Sequence, residues 1–122
     1  MPALSFNKQF ARLVELGRKR QTIRVKRKRP IKAGDRLYLY TGMRTKVCRK
    51  LGEADCASVR PLVKLPDNGW SLDGVELVTW EIDDLLGDDG FKCRGDFVEW
   101  FAQYPDGTEF DLIMWEQEVD NA

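Results

Sequence analysis

Gly17-Arg18-Lys19-Arg20-Gln21-Thr22-Ile23-Arg24-Val25-Lys26-Arg27-Lys28-Arg29 is the stretch on which the reading of this chain turns. From Arg18 to Lys32 there are nine basic residues and no acid, within 122 residues whose formal net charge is zero. Two patterns are superimposed. Gly17 to Arg24 sets a lysine, a threonine and an arginine at fixed offsets from a glycine, whereas Val25 to Lys32 is marked by charge alone. On the N-terminal side, Phe6, Phe10, Leu13 and Val14 fall at i, i+4, i+7 and i+8, the stripe of one amphipathic helix with Ser5 as its N-cap. Gly17 supplies the left-handed residue that commonly ends a helix, so Arg18, Lys19 and Arg20 follow where the helix dipole favours cations. From Gln21 the period changes to two. Ile23 and Val25 alternate with Thr22, Arg24 and Lys26, which predicts a strand ended by Pro30 that buries the first pair and presents Thr22 beside Arg24.

Further along, Ile31 to Asp35 reads as a turn into an alternating strand, Arg36 to Tyr40, broken at Thr41-Gly42. Strands are expected around Thr45 to Cys48, Cys56 to Val63 and Val75 to Trp80, with Pro66-Asp67-Asn68-Gly69 as an exposed turn. An acidic patch, Asp83, Asp84, Asp88 and Asp89, follows, with Gly87 and Gly90 bending the chain before Phe91. Phe97 to Tyr104 fits a short helix capped by Asp96, and the nearly continuous apolar run Phe110 to Trp115 fits a strand buried on both faces. Strands dominate the middle without regular helix alternation. That order disfavours a doubly wound sheet and favours a small mixed barrel with helices at its ends.

The length fits one domain, residues 1–122, and 43% hydrophobic content with four tryptophans fits a packed core. No apolar run is long enough to span a membrane and the N-terminus lacks the pattern of a signal peptide, so a soluble, cytoplasmic protein without a membrane partner is expected. Cys48, Cys56 and Cys93 have no paired spacing and read as buried free thiols. Histidine is absent, which excludes Ser-His-Asp and Cys-His nucleophile systems and makes a transition-metal site unfavourable; no cofactor is implied. Charge is strongly segregated. Lys8 to Lys50 holds 16 basic residues against 2 acids, a balance of +14, and the remainder carries −14. Two explanations stand: a face for nucleic-acid phosphates, or halves that neutralise one another across the folded surface or in a homodimer.

Gly17-Arg18-Lys19-x-x-Thr22-x-Arg24, with Lys32-x-Gly34-Asp35 and the strand Leu37 to Tyr40 behind it, resembles the start of an ASCH domain, a member of the PUA-like superfamily. Leu85 to Phe91, the aromatic helix Phe97 to Phe101 and the closing strand Phe110 to Trp115 stand in the order that family shows. The resemblance implies an α+β, PUA-like mixed β-barrel of about five to six strands, with an N-terminal helix, short helices before the last strand, and a cleft between the first helix and the barrel. Most members are described as RNA-associated or of unknown role. A bacterial subgroup comprises amidohydrolases that cleave N(4)-acetylcytidine with a lysine, a threonine and a carboxylate. Motif position puts the lysine at Lys19 and the threonine at Thr22. The subgroup's glutamate falls near Asp89, one methylene shorter.

The chemistry can be argued separately. A threonine hydroxyl needs a neighbouring base to act as a nucleophile, and a lysine crowded by Arg18, Arg20 and Arg24 can lose its proton more easily and fill that role. Asp89 can orient the lysine or accept from the exocyclic amine of a cytosine. Arg24 suits a phosphate or a base carbonyl. Arg18, Arg20, Lys26, Arg27, Lys28 and Arg29 are candidate phosphate contacts; Tyr38 and Tyr40 share one strand face and suit either base stacking or the barrel core. Trp80, Trp100, Phe101 and Trp115 read as packing. Three functions follow in order: a module binding RNA or single-stranded nucleic acid, an amidohydrolase on a modified cytosine nucleoside using Lys19, Thr22 and Asp89, and a ribonuclease.

Overall fold

The computed structural model describes residues 2–117. Strand β1 (Ala3–Phe6) leads into helix α1 (Lys8–Glu15), then β2 (Gln21–Val25), β3 (Arg36–Thr41), the long β4 (Arg49–Lys64), β5 (Trp70–Leu72), β6 (Val75–Glu76), helices α2 (Thr79–Asp88) and α3 (Arg94–Phe101), and β7 (Glu109–Gln117). The seven strands among the described residues belong to one sheet. β4 organises it: its first half pairs with β3, most of its length pairs with β7, and its end pairs with β5. β1 adds to β3 in parallel and β2 adds to β7 antiparallel. The sheet curls into a half-barrel, an α+β fold, with β1 and β2 as two of its outermost strands, unpaired with each other.

The turn after α1 sets the first wall of the site. Gly17 is left-handed, φ 75°, as its position predicts, and Leu13 O accepts from both Arg18 N (2.8 Å) and Lys19 N (3.1 Å). The chain therefore reverses tightly and Lys19 enters the interior instead of reaching solvent. Ser5 does not cap α1. Asn7 does, its side chain accepting from Gln9 N, because Ala3 to Phe6 is taken up by pairing with β3, an exchange of long-range ladder for local helix that periodicity cannot register.

Several expected elements differ. Thr45 to Cys48 forms turns: Thr45 Oγ1 donates to Gly42 O (2.5 Å) and accepts from Val47 N (3.2 Å), a local side-chain alternative to the ladder. Cys56 to Val63 is part of β4. Val75 to Trp80 gives only two strand residues before α2 begins, since Glu81 accepts from Val78 N and caps the helix start. Gly87 lies within that helix, so Asp83, Asp84 and Asp88 are helical, with Leu85 and Leu86 buried; Asp89 is the C-cap, and Gly90 turns the chain before Phe91 as expected. α3 starts at Arg94, ahead of Asp96, and ends at Phe101. β2 stops at Val25, five residues before Pro30; Val25 is exposed, while Gln21, Thr22 and Ile23 are buried. The expected exposed turn at Pro66 to Gly69 and the buried strand from Phe110 to Trp115 are both present. Of the thiols, Cys56 alone is buried; Cys48 and Cys93 are exposed. No helix among the described residues is long and apolar enough to cross a membrane.

An aromatic cluster joins α3 to the sheet. Trp70 packs against Phe97, Phe101 and Phe110 at ring distances of 5.3–5.6 Å. Lys64 Nζ donates to Phe101 O (2.9 Å), at the last residue of α3, and to Tyr104 O (2.6 Å) in the turn beyond it, tying the end of the helix to β4. Gly90 connects α2 to this cluster at φ 97°, where a Cβ would lie 3.0 Å from Phe10 Cδ1 and 3.2 Å from Leu13 Cδ1. Gly90→Ala should therefore lower the unfolding free energy by about 1–3 kcal/mol through strain and overpacking. Urea denaturation checks this, and a variant as stable as the parent would show that neither the backbone conformation nor the contacts with Phe10 and Leu13 require glycine.

Candidate functional site

The margins β1 and β2 do not pair with each other, and the space between them is a cleft of about 200 Å³. Its polar residues are Lys19, Thr22, Arg24 and Asp89, with Ser5 and Asn7 at the β1 side. Four residues singled out by sequence thus converge on one cavity, although Asp89 is 70 positions from Lys19.

Each polar side chain is fixed by a different element. Lys19 is only 2% exposed and Asp89 4%. Lys19 Nζ donates to Asp89 O at 2.5 Å and lies 3.1 Å from Asp89 Oδ1. It also stands 4.9 Å from the Phe10 ring centre and 5.8 Å from that of Phe6, within cation–π range. Arg24 Nε donates to Thr22 Oγ1 (2.9 Å), and its NH2 group donates to Ser5 O (2.7 Å), so this guanidinium bridges the open margins. Thr22 and Arg24 are side by side as alternation predicts, but Thr22 is itself buried.

Burial dominates the electrostatics. It pushes the Lys19 ammonium below its ordinary value, although the Asp89 charge and hydrogen bond act against that shift; Arg24 adds the smallest contribution. Arg18 and Arg20 are exposed, so crowding by arginines is a minor cause where sequence reasoning made it the main one. Burial likewise pushes Asp89 up, opposed by Lys19, Gln21 and Arg24. A low-polarity wall thus favours neutral forms of both partners, the condition in which an amine can accept a proton and a carboxyl can donate one.

The remaining predicted residues lie elsewhere. Lys26, Arg27, Lys28 and Arg29 form an exposed segment that leaves the cleft wall directly after Val25, and the charge of Arg27 is felt at Arg24. Arg20 Nε donates to Gly17 O (2.9 Å) beside the turn. Tyr38 and Tyr40 are half-buried on β3, on the face opposite Leu37 and Leu39, where Lys50 lies 5.5 Å from the Tyr38 ring centre; neither lines the cleft. Aromatic residues expected only to pack do more than that. Trp100 is 37% exposed and lines the cleft with Phe101, while Trp80 is 67% exposed outside it. Sequence reading missed Gln21, buried with Nε2 3.2 Å from Leu85 O and 3.3 Å from Asp89 Oδ1. Nothing local to Arg-Gln-Thr marks that glutamine, because its partners come from α2.

No protein-family model matches the sequence, and no curated protein matches it. The fold does have a solved counterpart: the crystal structure of ASCH from Zymomonas mobilis, with a TM-score of 0.58 and 13% identity over 94% of this chain. The chain has the ASCH fold. It spans 66% of the length of that counterpart, and at 13% identity the likeness is one of architecture. The cleft and the side chains that furnish it are read from this chain alone.

The paired ionisable groups have a pH signature. Between the lowered Lys19 midpoint and the ordinary 10.5, the unfolded chain holds more protons than the folded one, so the Lys19 contribution to stability rises with pH. Asp89 has the opposite sign, its contribution falling as pH climbs from 3.8 to its raised midpoint. Relative to a Lys19→Met, Asp89→Asn double variant, the parent should gain unfolding free energy along the alkaline limb toward pH 10.5. A series of urea titrations measures it; a relative loss there would mean that attraction within the pair outweighs burial.

Proposed function

We propose that this chain is a nucleic-acid-associated domain that takes one unpaired base of RNA, or another single strand, into the cleft and holds flanking phosphates on Lys26 to Arg29. The observation that carries this reading is continuity: Arg24 and Val25 are cleft wall, and the next four residues are exposed cations. At about 200 Å³ the cleft exceeds the ~150 Å³ cavity that accepts a benzene ring, a fit for a base and not for a duplex. Asp89 offers an acceptor for an exocyclic amine and Arg24 a donor for a carbonyl, the edge features that distinguish bases. Trp100 and Phe101 offer ring surface. The resemblance to the ASCH family, most of whose members are described as RNA-associated or of unknown role, is in keeping with this reading.

An electrophoretic shift series with single-stranded RNA at stepped salt tests it. Binding should weaken with salt, and replacing Lys26, Arg27, Lys28 and Arg29 by glutamine should flatten the log–log slope by about 3, at ~0.7 per single-strand phosphate contact. No complex at low salt, or an unchanged slope, overturns the proposal. Fragments in place of intact RNA would move ribonuclease activity ahead of binding.

The buried Lys19–Asp89 pair favours a second reading, an amidohydrolase acting on an N(4)-acetylated cytosine nucleoside. Lys19 in its neutral form takes the proton of a water as its oxygen attacks the acetyl carbonyl, or the proton of Thr22, whose acetyl ester a water then cleaves. That proton passes to the departing exocyclic nitrogen, one water is consumed, and acetate and cytidine leave. In this reading Asp89, with Oδ1 3.1 Å from Lys19 Nζ, takes the carboxylate's part with a side chain one methylene shorter. Chromatography of N(4)-acetylcytidine incubated with the protein should reveal cytidine, and Lys19→Ala should slow its release at least ~100-fold. Absence of turnover by the parent rejects the hydrolase and leaves the binding reading standing.

A further inference from the structure

Asp89 has two carboxylate oxygens, and the protein engages them unequally. Lys19 Nζ lies 3.1 Å from Oδ1 and Gln21 Nε2 lies 3.3 Å from the same oxygen. Oδ2 accepts no bond from any described residue. Among the described residues the Trp115 indole nitrogen is the one fully enclosed side-chain polar atom without a partner, so Oδ2 is not sealed off; Asp89 lines the cleft. The second Nε2 hydrogen of Gln21 is directed to Leu85 O at 3.2 Å, on the same helix α2. One buried amide, 3% exposed, thus holds both the last turns of α2 and one lobe of the carboxylate that terminates it.

We infer that Gln21 is the positioning residue of this cleft: it pins Asp89 Oδ1 from β2, turning Oδ2 toward the cavity as the oxygen that meets a ligand. This rests on the reading of the cleft as the functional site. Anchoring α2 alone requires only the bond to Leu85 O; the bond to Oδ1 is the part that orients an acid. A buried amide costs stability unless its donors are used, and here both are. Chemistry at Oδ2 follows from the environment. Lys19 offsets the charge and Gln21 fixes Oδ1, with Arg24 the other cation near Asp89, so Oδ2 accepts from an amine while ionised and donates when protonated.

The test begins with the unaltered protein. The side-chain amide resonances of Gln21 should shift with pH at the same midpoint as the Asp89 carboxyl carbon, because one accepts what the other donates. Gln21 resonances that stay fixed while Asp89 titrates overturn the inference. In Gln21→Met, with the fold confirmed by backbone amide spectra, the Asp89 midpoint should rise by about one pH unit through loss of a bond to the ionised form. An unchanged midpoint also overturns it. A double-mutant cycle with cytidine as probe adds the functional arm: Gln21→Met should weaken binding about tenfold in the parent and have no effect in an Asp89→Asn background. Equal weakening in both backgrounds makes Gln21 a structural tether only and rejects positioning. If the parent fails to bind cytidine, the cleft assignment is at fault, while the two titrations still decide whether Gln21 orients Asp89.

Discussion

Everything at the open side of this protein depends on one ion pair, Lys19 with Asp89, placed where water hardly reaches. Opposite charges in a low-polarity interior lose more hydration than their attraction restores unless further hydrogen bonds complete the arrangement. Here they do. The Lys19 ammonium also meets Asp89 O and the faces of Phe6 and Phe10, and Asp89 Oδ1 also meets Gln21. Three pieces of chain end at this point: the turn after α1, the start of β2 and the last turn of α2. An apolar pair would serve stability as well or better. A charged pair lining a cavity is better explained by what it can offer a ligand.

The cleft exists because the half-barrel does not close. Full closure removes sheet edges, and an open edge offers unpaired backbone groups to any passing strand. β1 and β2 leave that gap and Arg24 spans it, donating to Thr22 on its own strand and to the Ser5 carbonyl across the opening. The same guanidinium lies 5.0 Å from the Phe6 ring centre. One side chain therefore does three things: it occupies a backbone acceptor, covers an aromatic face, and presents positive charge beside a cavity. Behind it, Lys64 secures the end of α3 and so the positions of Phe101 and Tyr104 in the cleft wall.

Much of the frame was legible because its signals are local. Gly17 ends α1 by a backbone geometry that glycine adopts without steric cost, and Gln21 to Val25 forms a strand with Thr22 beside Arg24. Phe110 to Trp115 is buried on both faces, as an apolar run without alternation implies. Errors fell where tertiary contacts compete with local pattern. Ala3 to Phe6 joins a parallel ladder whose partner is some 35 residues away. Thr79 to Asp88 is helical despite Gly87, since Leu85 and Leu86 are buried in the core and Glu81 secures the start. Trp80 is exposed and Trp100 partly so, although apolar composition placed both in the core.

The sequence by itself determined the candidate chemistry: a lysine, a threonine and an arginine at set spacing, a distant aspartate after a Leu-Leu-Gly-Asp run, and a basic segment immediately beyond. The lysine, threonine, arginine and basic segment follow from residue type and short-range geometry, which a linear reading can weigh; the aspartate is marked by the resemblance to the ASCH family. Tertiary structure decided which charges remain in water. Lys19 and Lys26 are alike in composition and only seven positions apart, yet one is enclosed against Asp89 and aromatic rings while the other is exposed. Burial depends on neighbours supplied by α1, α2 and β2 together, and desolvation, the main influence on Lys19 and Asp89, has no counterpart in the order of residues along a chain.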